Sequence, residues 1–189
     1  MNKKEKEAFI YPKGSGGFMR PDEVLKNLEI KEGMSIADFG CGAGYFTIPL
    51  AKRVGKEGVV YAVDVLESAL ESVRGRAKME SLLNIQCARA NLEKEKGSMI
   101  GDGTMDMVIL ANILFQSKEK HAILKEARRV LKKNGRIVVI EWNDGVSFGP
   151  PPASKIPKEE LKSTVKDAGF ILEKEFNAGE SHYGLVFSL

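Results

Sequence analysis

A chain of 189 residues fits one domain and is long enough to bury a hydrophobic core without disulfide or metal staples. It has 43% hydrophobic and 29% charged residues, no run near the ~20 apolar residues that cross a bilayer, and a charged start at Met1 to Glu7 without the apolar core of a signal peptide, so a cytoplasmic protein is expected. A net charge of +3 is too slight to argue for nucleic acid, and two cysteines and two histidines argue against a disulfide scaffold or a metal centre.

Residues 1–19 read as an N-terminal arm, with loop chemistry at Pro12-Lys13-Gly14-Ser15-Gly16-Gly17 and the apolar pair Phe18-Met19 at its end. Helical spacing follows at Val24, Leu25 and Leu28, with Pro21 suited to a first turn. Met34 to Phe39 predicts a buried strand, passed through a glycine-rich turn to a helix over Phe46 to Val54. Gly58 to Val63 is a second strand, Glu67 to Met79 a helix, Leu83 to Ala88 a weaker strand and Met105 to Leu110 a clear fourth. Lys118 to Leu131 predicts a helix with Asn134-Gly135 as its C-cap, and Arg136 to Trp142 a fifth strand. The basic cluster Arg128-Arg129 and Lys132-Lys133 falls at that helix end, where cations complement the dipole. No aromatic stacking platform accompanies it, so a nucleic-acid partner is not favoured.

Residues 143–156, with Gly149-Pro150-Pro151-Pro152, are too long for a simple connection and are expected to be a substrate-side loop. A helix over Pro157 to Ala168 ends at Gly169, and the runs Phe170 to Phe176 and His182 to Leu189 can pair antiparallel. The alternation of strand and helix implies an α/β fold, a mostly parallel sheet between two helical layers.

The segment with chemical content is Ala37-Asp38-Phe39-Gly40-Cys41-Gly42-Ala43-Gly44-Tyr45, where the first strand meets its helix. Ligands bind at the carboxyl edge of such sheets. Glycines there let backbone approach a ligand closely, and the helix N-terminus offers free N–H groups to an anion. Asp38 adds an anion for an ammonium group. A dinucleotide fingerprint needs G-x-G-x-x-G; here the third glycine comes one residue early, at Gly44, and Tyr45 stands where the fingerprint needs glycine. Asp64 ends the second strand 20 positions after Gly44, where a carboxylate can accept both ribose hydroxyls. That device serves nicotinamide enzymes equally.

These motifs, with Met105-Asp106-Met107-Val108-Ile109-Leu110-Ala111-Asn112 and Arg128 to Arg136, resemble those of class I S-adenosylmethionine (SAM)-dependent methyltransferases, and most closely the small type 11 group. The resemblance runs over residues 18–189 and implies one domain over 1–189, with a Rossmann-like three-layer sandwich and a seven-stranded sheet in order 3-2-1-4-5-7-6, the last strand antiparallel. It implies SAM as cofactor and S-adenosylhomocysteine as product. Gly40, Gly42, Ala43 and Gly44 would line the methionine portion, with Asp38 near its amino group. Asp64 would hold the ribose and Val65 pack on adenine. Asn91 stands where many relatives carry aspartate, so its amide oxygen would accept from the adenine amino group without charge, while the Leu92 N–H donates to the ring. Ala111 and Asn112 would lie beside the sulfonium, and Phe18 would close over the cofactor or plug the core.

On the acceptor side the candidates are Asn112, Phe115, Gln116, Glu141, Trp142 and the 143–156 loop. His182 begins the final strand and could reach the pocket mouth. His121 reads as a surface histidine, and Tyr11 and Arg20 as gate candidates in the arm. Ala111-Asn112-Ile113-Leu114 is not the Asn-Pro-Pro-aromatic tetrapeptide of enzymes that methylate planar amino nitrogens, and Cys41 and Cys87 do not make the thiol set of an arsenite methyltransferase. A small-molecule acceptor remains by elimination; its identity and the oligomeric state are left open. Two other readings stand beside this one: an NAD-dependent oxidoreductase, and a SAM-binding protein without catalysis.

Overall fold

The computed structural model describes residues 19–146 and 149–189. A short helix α1 (Pro21–Leu25) precedes β1 (Ser35–Phe39), α2 (Thr47–Val54), β2 (Val59–Asp64), α3 (Glu67–Met79) and β3 (Ile85–Arg89). Then come β4 (Met105–Ala111), α4 (Lys120–Val130), β5 (Leu131–Trp142), α5 (Lys158–Asp167), β6 (Ile171–Asn177) and β7 (His182–Ser188). The strands form one sheet in the order β3-β2-β1-β4-β5-β7-β6. Pairing is parallel from β3 across to β5, while β7 runs antiparallel to both β5 and β6. The expected Rossmann-like topology is the observed one.

Period-two alternation decides which residue faces which helical layer. Ile36, Val60, Met107, Ile109, Val138, Ile140 and Val186 pack against Val24, Leu25, Leu50 and Val54 of α1 and α2. Ala37, Phe39, Val108, Leu110, Val139, Leu185 and Phe187 pack on the opposite face, against Leu124 and Ala127 of α4 and Leu161 and Val165 of α5. The central strands are therefore apolar on both faces, as a covered parallel sheet requires. On the same parity Trp142 and His182 fall on the α1–α2 face and Glu141 on the other. Trp142 and His182 are direct partners in the β5–β7 ladder.

One local expectation fails. Helix α4 ends at Val130, and Leu131 is already extended (ψ 139°), so Asn134-Gly135 caps nothing. The β4–β5 register steps from Met105↔Leu131 to Met107↔Arg136, which loops out residues 132–135. A Cβ at Gly135 would stand 2.8 Å from Leu131 Cδ2 and 3.1 Å from the Met105 carbonyl; crowding, not a cap, calls for glycine there. A true helix stop occurs at Gly169 (φ +88°), whose N–H donates to the Lys166 carbonyl. The basic cluster is largely committed: Arg129 pairs with Glu126 and Asp102, Lys132 with Asp106, and Arg128 donates to the Ala168 and Gly169 carbonyls. No helix among the described residues is long and apolar enough to cross a membrane.

Candidate active site

At the carboxyl edge of β1 the chain turns through Gly40, Gly42 and Gly44 with φ of +71°, +51° and +80°. L-residues reach that region only at a cost. The Gly40 N–H donates to the Val63 carbonyl of β2. A Cβ at Gly40 would stand 2.5 Å from Ile113 Cδ1, so the turn is pressed against the segment leaving β4. At Gly42 a Cβ would meet nothing within 4 Å, which leaves the backbone open toward the crevice.

Asp64 ties this turn to the end of β2. Its Oδ2 accepts from the Gly42 N–H at 2.9 Å and its Oδ1 from the Leu66 N–H at 2.9 Å. Each carboxylate oxygen keeps a further lone pair for a ligand. Gly40, Gly42, Asp64, Val65, Asn91 and Leu92 line one side of a cavity of about 450 Å³, and Asn112, Ile113, Gln116 and Ser117 the other. That volume lies within the usual range of small-molecule sites, ~300–1,000 Å³. Val65 is 52% exposed, an apolar side chain left uncovered at the rim.

Asp38 is buried beneath the turn and accepts from Thr47 Oγ1 at 2.5 Å, so it secures the start of α2. Burial pushes its carboxyl up to about 6 against the opposing hydrogen bond, with the Asp64 charge adding to the rise. Neither Asp38, Ala43, Gly44 nor Ala111 is among the residues lining the cavity. Ala43 is exposed, its carbonyl taken by Arg76, and a Cβ at Gly44 would stand 3.0 Å from Val73 of α3. Cys41 is buried under α3 beside Leu70 and Val73, and burial raises its thiol far above the usual range. Tyr45, the residue that breaks the dinucleotide fingerprint, donates its hydroxyl to the Met19 carbonyl and so anchors the described start of the chain over the turn. Phe18 and Tyr11 lie outside the described residues; Arg20 is exposed just before α1.

Asn91 is exposed at the cavity wall, and its Oδ1 already accepts from the Glu93 N–H at 2.9 Å. Glu93 itself accepts from Ser117 Oγ at 2.6 Å, closing the rim between the segments after β3 and β4. Leu66, Ala90, Glu93, Ile113, Ser117 and Ile123 also line the cavity and were not foreseen. Five of them border, or lie within a residue or two of, residues that were; only Ile123, on α4, needed the fold to bring it in.

On the acceptor side Glu141 is 1% exposed and Oε1 accepts from the N–H groups of Leu114 (2.9 Å) and Phe115 (3.2 Å). It thus fastens the single 3₁₀ turn Leu114–Gln116 that follows β4. Burial pushes its carboxyl up to about 7, opposed by those backbone donors. Gln116 is exposed and donates Nε2 to the Asn112 carbonyl at 2.6 Å. Asn112 holds a left-handed φ of +56°, and its Nδ2 lies 3.0 Å from His182 Nε2. His182 is buried with its ring centroid 4.0 Å from that of Trp142. A Cβ at Gly149 would stand 2.5 Å from the Trp142 ring, so Gly149 lies directly over that indole. Phe115 is half-buried against the α4–α5 core, and His121 is exposed on α4. No cluster of potential metal ligands occurs among the described residues.

The model of a family described as "methyltransferase domain" matches residues 30–179. The chain is 35% identical over 122 residues to a demethylmenaquinone methyltransferase of Lactococcus lactis, covering 63% of this chain and 46% of that protein. It is 36% identical over 163 residues to a demethylmenaquinone methyltransferase of Staphylococcus saprophyticus, covering 85% of this chain and 64% of that protein. The chain thus spans about half to two thirds of these curated relatives. The crystal structure of a SAM-dependent methyltransferase from Aquifex aeolicus superposes with a TM-score of 0.82 at 29% identity, covering 90% of this chain and 89% of that one. The early glycine and the sheet order agree with these likenesses and not with the nicotinamide alternative, while Asp64 suits either. The chain belongs to the methyltransferase-domain family, among the class I methyltransferases that use S-adenosylmethionine.

Proposed function

We propose that this chain is one catalytic domain that transfers a methyl group from SAM to a small-molecule acceptor held at the carboxyl edge of β4 and β5. The observation that carries the reading is the Gly42 N–H bonded to Asp64 on the wall of the cavity. It joins an open glycine backbone and a partly exposed carboxylate in one 450 Å³ cavity, as a nucleoside bearing an amino-acid tail requires. In this reading Gly40 and Gly42 lie along the methionine portion, Asp64 accepts from the ribose hydroxyls, and Val65, Asn91 and Leu92 border the adenine. Asp38 acts through Thr47 by holding the helix start rather than by touching the ligand.

When bound, SAM supplies a methyl group on a cationic sulfur that leaves readily in an in-line displacement. The residues of the chain have to align the acceptor and keep water out, and orientation of that kind can be worth ~7–11 kcal/mol. Glu141 serves alignment by fixing the turn that carries Phe115 and Gln116. Gly149 covers Trp142 on the acceptor side. The names of the relatives, demethylmenaquinone methyltransferases, make a quinone that lacks a methyl group the first acceptor to try. The test is transfer of tritiated methyl from SAM to such a quinone and to a fractionated cell extract. Labelled product identified by mass spectrometry is expected; tight SAM binding with no labelled product in any fraction would mean a binding protein instead.

A further inference from the structure

Asn112, Ile113, Gln116 and Ser117, which form the acceptor-side wall of the cavity, all belong to the short segment 112–117 that leaves β4. Within it the Gln116 and Ser117 N–H groups reach the Ile113 and Leu114 carbonyls at 3.3 and 3.2 Å, at the long end for such bonds. Side chains tie its two ends, Gln116 to the Asn112 carbonyl and Lys120 to the Ser117 carbonyl. Its middle is held from the sheet: the Leu114 and Phe115 N–H groups both donate to Glu141 Oε1. Glu141 itself is not among the residues that line the cavity. It holds the wall without facing the ligand.

What Glu141 accepts with one oxygen it does not balance with the other. Oε2 is buried and, among the described residues, has no hydrogen-bond partner. With Oε1 taken by two donors, the neutral acid carries its proton on Oε2, where no acceptor meets it; the carboxylate leaves a charged oxygen there with no donor. Neither form is fully satisfied. Burial keeps the proton on up to about 7, opposed by the N–H groups of Phe115, Leu114 and Trp142 and by the Lys120 charge. Lys120 faces it from the start of α4, and Tyr183 of β7 is its partner in the ladder. The Tyr183 hydroxyl donates to the Ile156 carbonyl and is kept protonated by burial, with Asp144 and Glu160 adding to that effect. A charged acceptor bonds an N–H roughly twice as strongly as a neutral one, so ionisation tightens the hold of Glu141 on the turn. The same ionisation costs the whole fold stability. The two effects are read separately, one in melting and the other in ligand binding.

Resting on the functional reading above, we propose that Glu141 is a positioning residue whose ionisation firms the acceptor-side wall and so strengthens binding of the nucleoside that fills the cavity, without touching it. By reciprocity, a ligand that needs the firm wall favours the carboxylate and expels its proton. The site is thereby tuned to pH by a group that lies outside it.

The test titrates the full chain with S-adenosylhomocysteine by calorimetry, for the wild type and for Glu141→Gln. Glutamine keeps an oxygen for both N–H groups and stays neutral, so it stands for the protonated form at every pH. The ratio of wild-type to variant affinity should rise about fivefold from about pH 5.5 to about 8.5, the low end of ordinary coupling between sites. The Asp38 carboxyl, pushed up to about 6 beneath the glycine turn, is common to both proteins and cancels in the ratio. Near pH 7 the wild type should also release protons on binding, read as a dependence of the heat on the buffer, and the variant should not. A variant can fail to fold, so the Leu114 and Phe115 amides of the wild type are followed by NMR as well. Their proton signals should move downfield together as pH rises through about 7. A ratio that stays flat with pH, binding without proton release, or unmoved amide signals would overturn the proposal. Failure of the wild-type protein to take up S-adenosylhomocysteine at any pH would instead overturn the functional reading beneath it.

Discussion

Gly42 and Gly33 separate what a glycine does for the fold from what it does for the ligand. Both have positive φ, +51° and +82°, and a Cβ at either would meet nothing within 4 Å. Alanine at either therefore costs mainly backbone strain, about 1–2 kcal/mol. For a chain of this size that lowers Tm by roughly 2–8 °C. The free space beside Gly33 is solvent at the turn before β1, whereas the space beside Gly42 is the cavity that Gly42 itself lines. A methyl group there intrudes where the methionine portion is proposed to lie. Overpacking of that order costs ~1–3 kcal/mol, so Gly42→Ala should weaken SAM binding by about tenfold or more. Calorimetric titration with SAM and thermal melts of both variants measure the two effects on the same samples. Similar losses of Tm with wild-type SAM affinity in both variants would refute the reasoning, because Gly42 would then face no ligand.

Asp64→Ala removes the acceptor of the Gly42 and Leu66 N–H groups as well as the proposed ribose contact, and SAM affinity should fall by at least about tenfold; titration showing wild-type affinity would mean the ribose is held elsewhere. Glu141 carries a proton up to about 7 in the folded chain against an ordinary 4.5, so its contribution to stability is full below 4.5 and lost as pH rises through 7. Glu141→Gln should therefore gain on the wild type between pH 5 and 8, by on the order of 3 kcal/mol. Parallel melting curves for the two proteins across that range would contradict this. The subtraction matters because His182 acts oppositely, its contribution full above 6.5 and lost as pH falls through about 4. Asn91→Asp keeps an oxygen for the Glu93 N–H and adds a charged acceptor toward the base. It should bind S-adenosylhomocysteine more tightly and discriminate better against its inosine analogue in competition titrations; an unchanged ratio would show that Asn91 does not read the base.

The elements with strong periodicity were legible residue by residue: α3 spans Glu67–Met79 as expected, and the return of β6 and β7 as an antiparallel pair followed from two strand-like runs near one another. Helix stops were less so. Asn134-Gly135 and Gly169 offer the same signal in sequence, yet only Gly169 adopts the left-handed conformation that ends a helix, because Gly135 answers to crowding from Met105 across the sheet. The glycine turn, Asp64, Asn91 and Asn112 were legible because a motif carries them within short spans. The partnership of Asp38 with Thr47 was not, since an acid before a glycine turn looks the same whether it faces the ligand or the helix start. His182 lies 70 residues from Asn112, and only the antiparallel insertion of β7 next to β5 brings them together. No spacing rule reaches that far.

A crystal structure with S-adenosylhomocysteine bound tests the central claim most directly. The ribose hydroxyls should lie within hydrogen-bond distance of Asp64, with the adenine between Val65 and Asn91 and the sulfur turned toward Asn112. A nucleoside found away from the cavity that Gly42 and Asp64 line, or that cavity closed by the chain's own side chains, would contradict it.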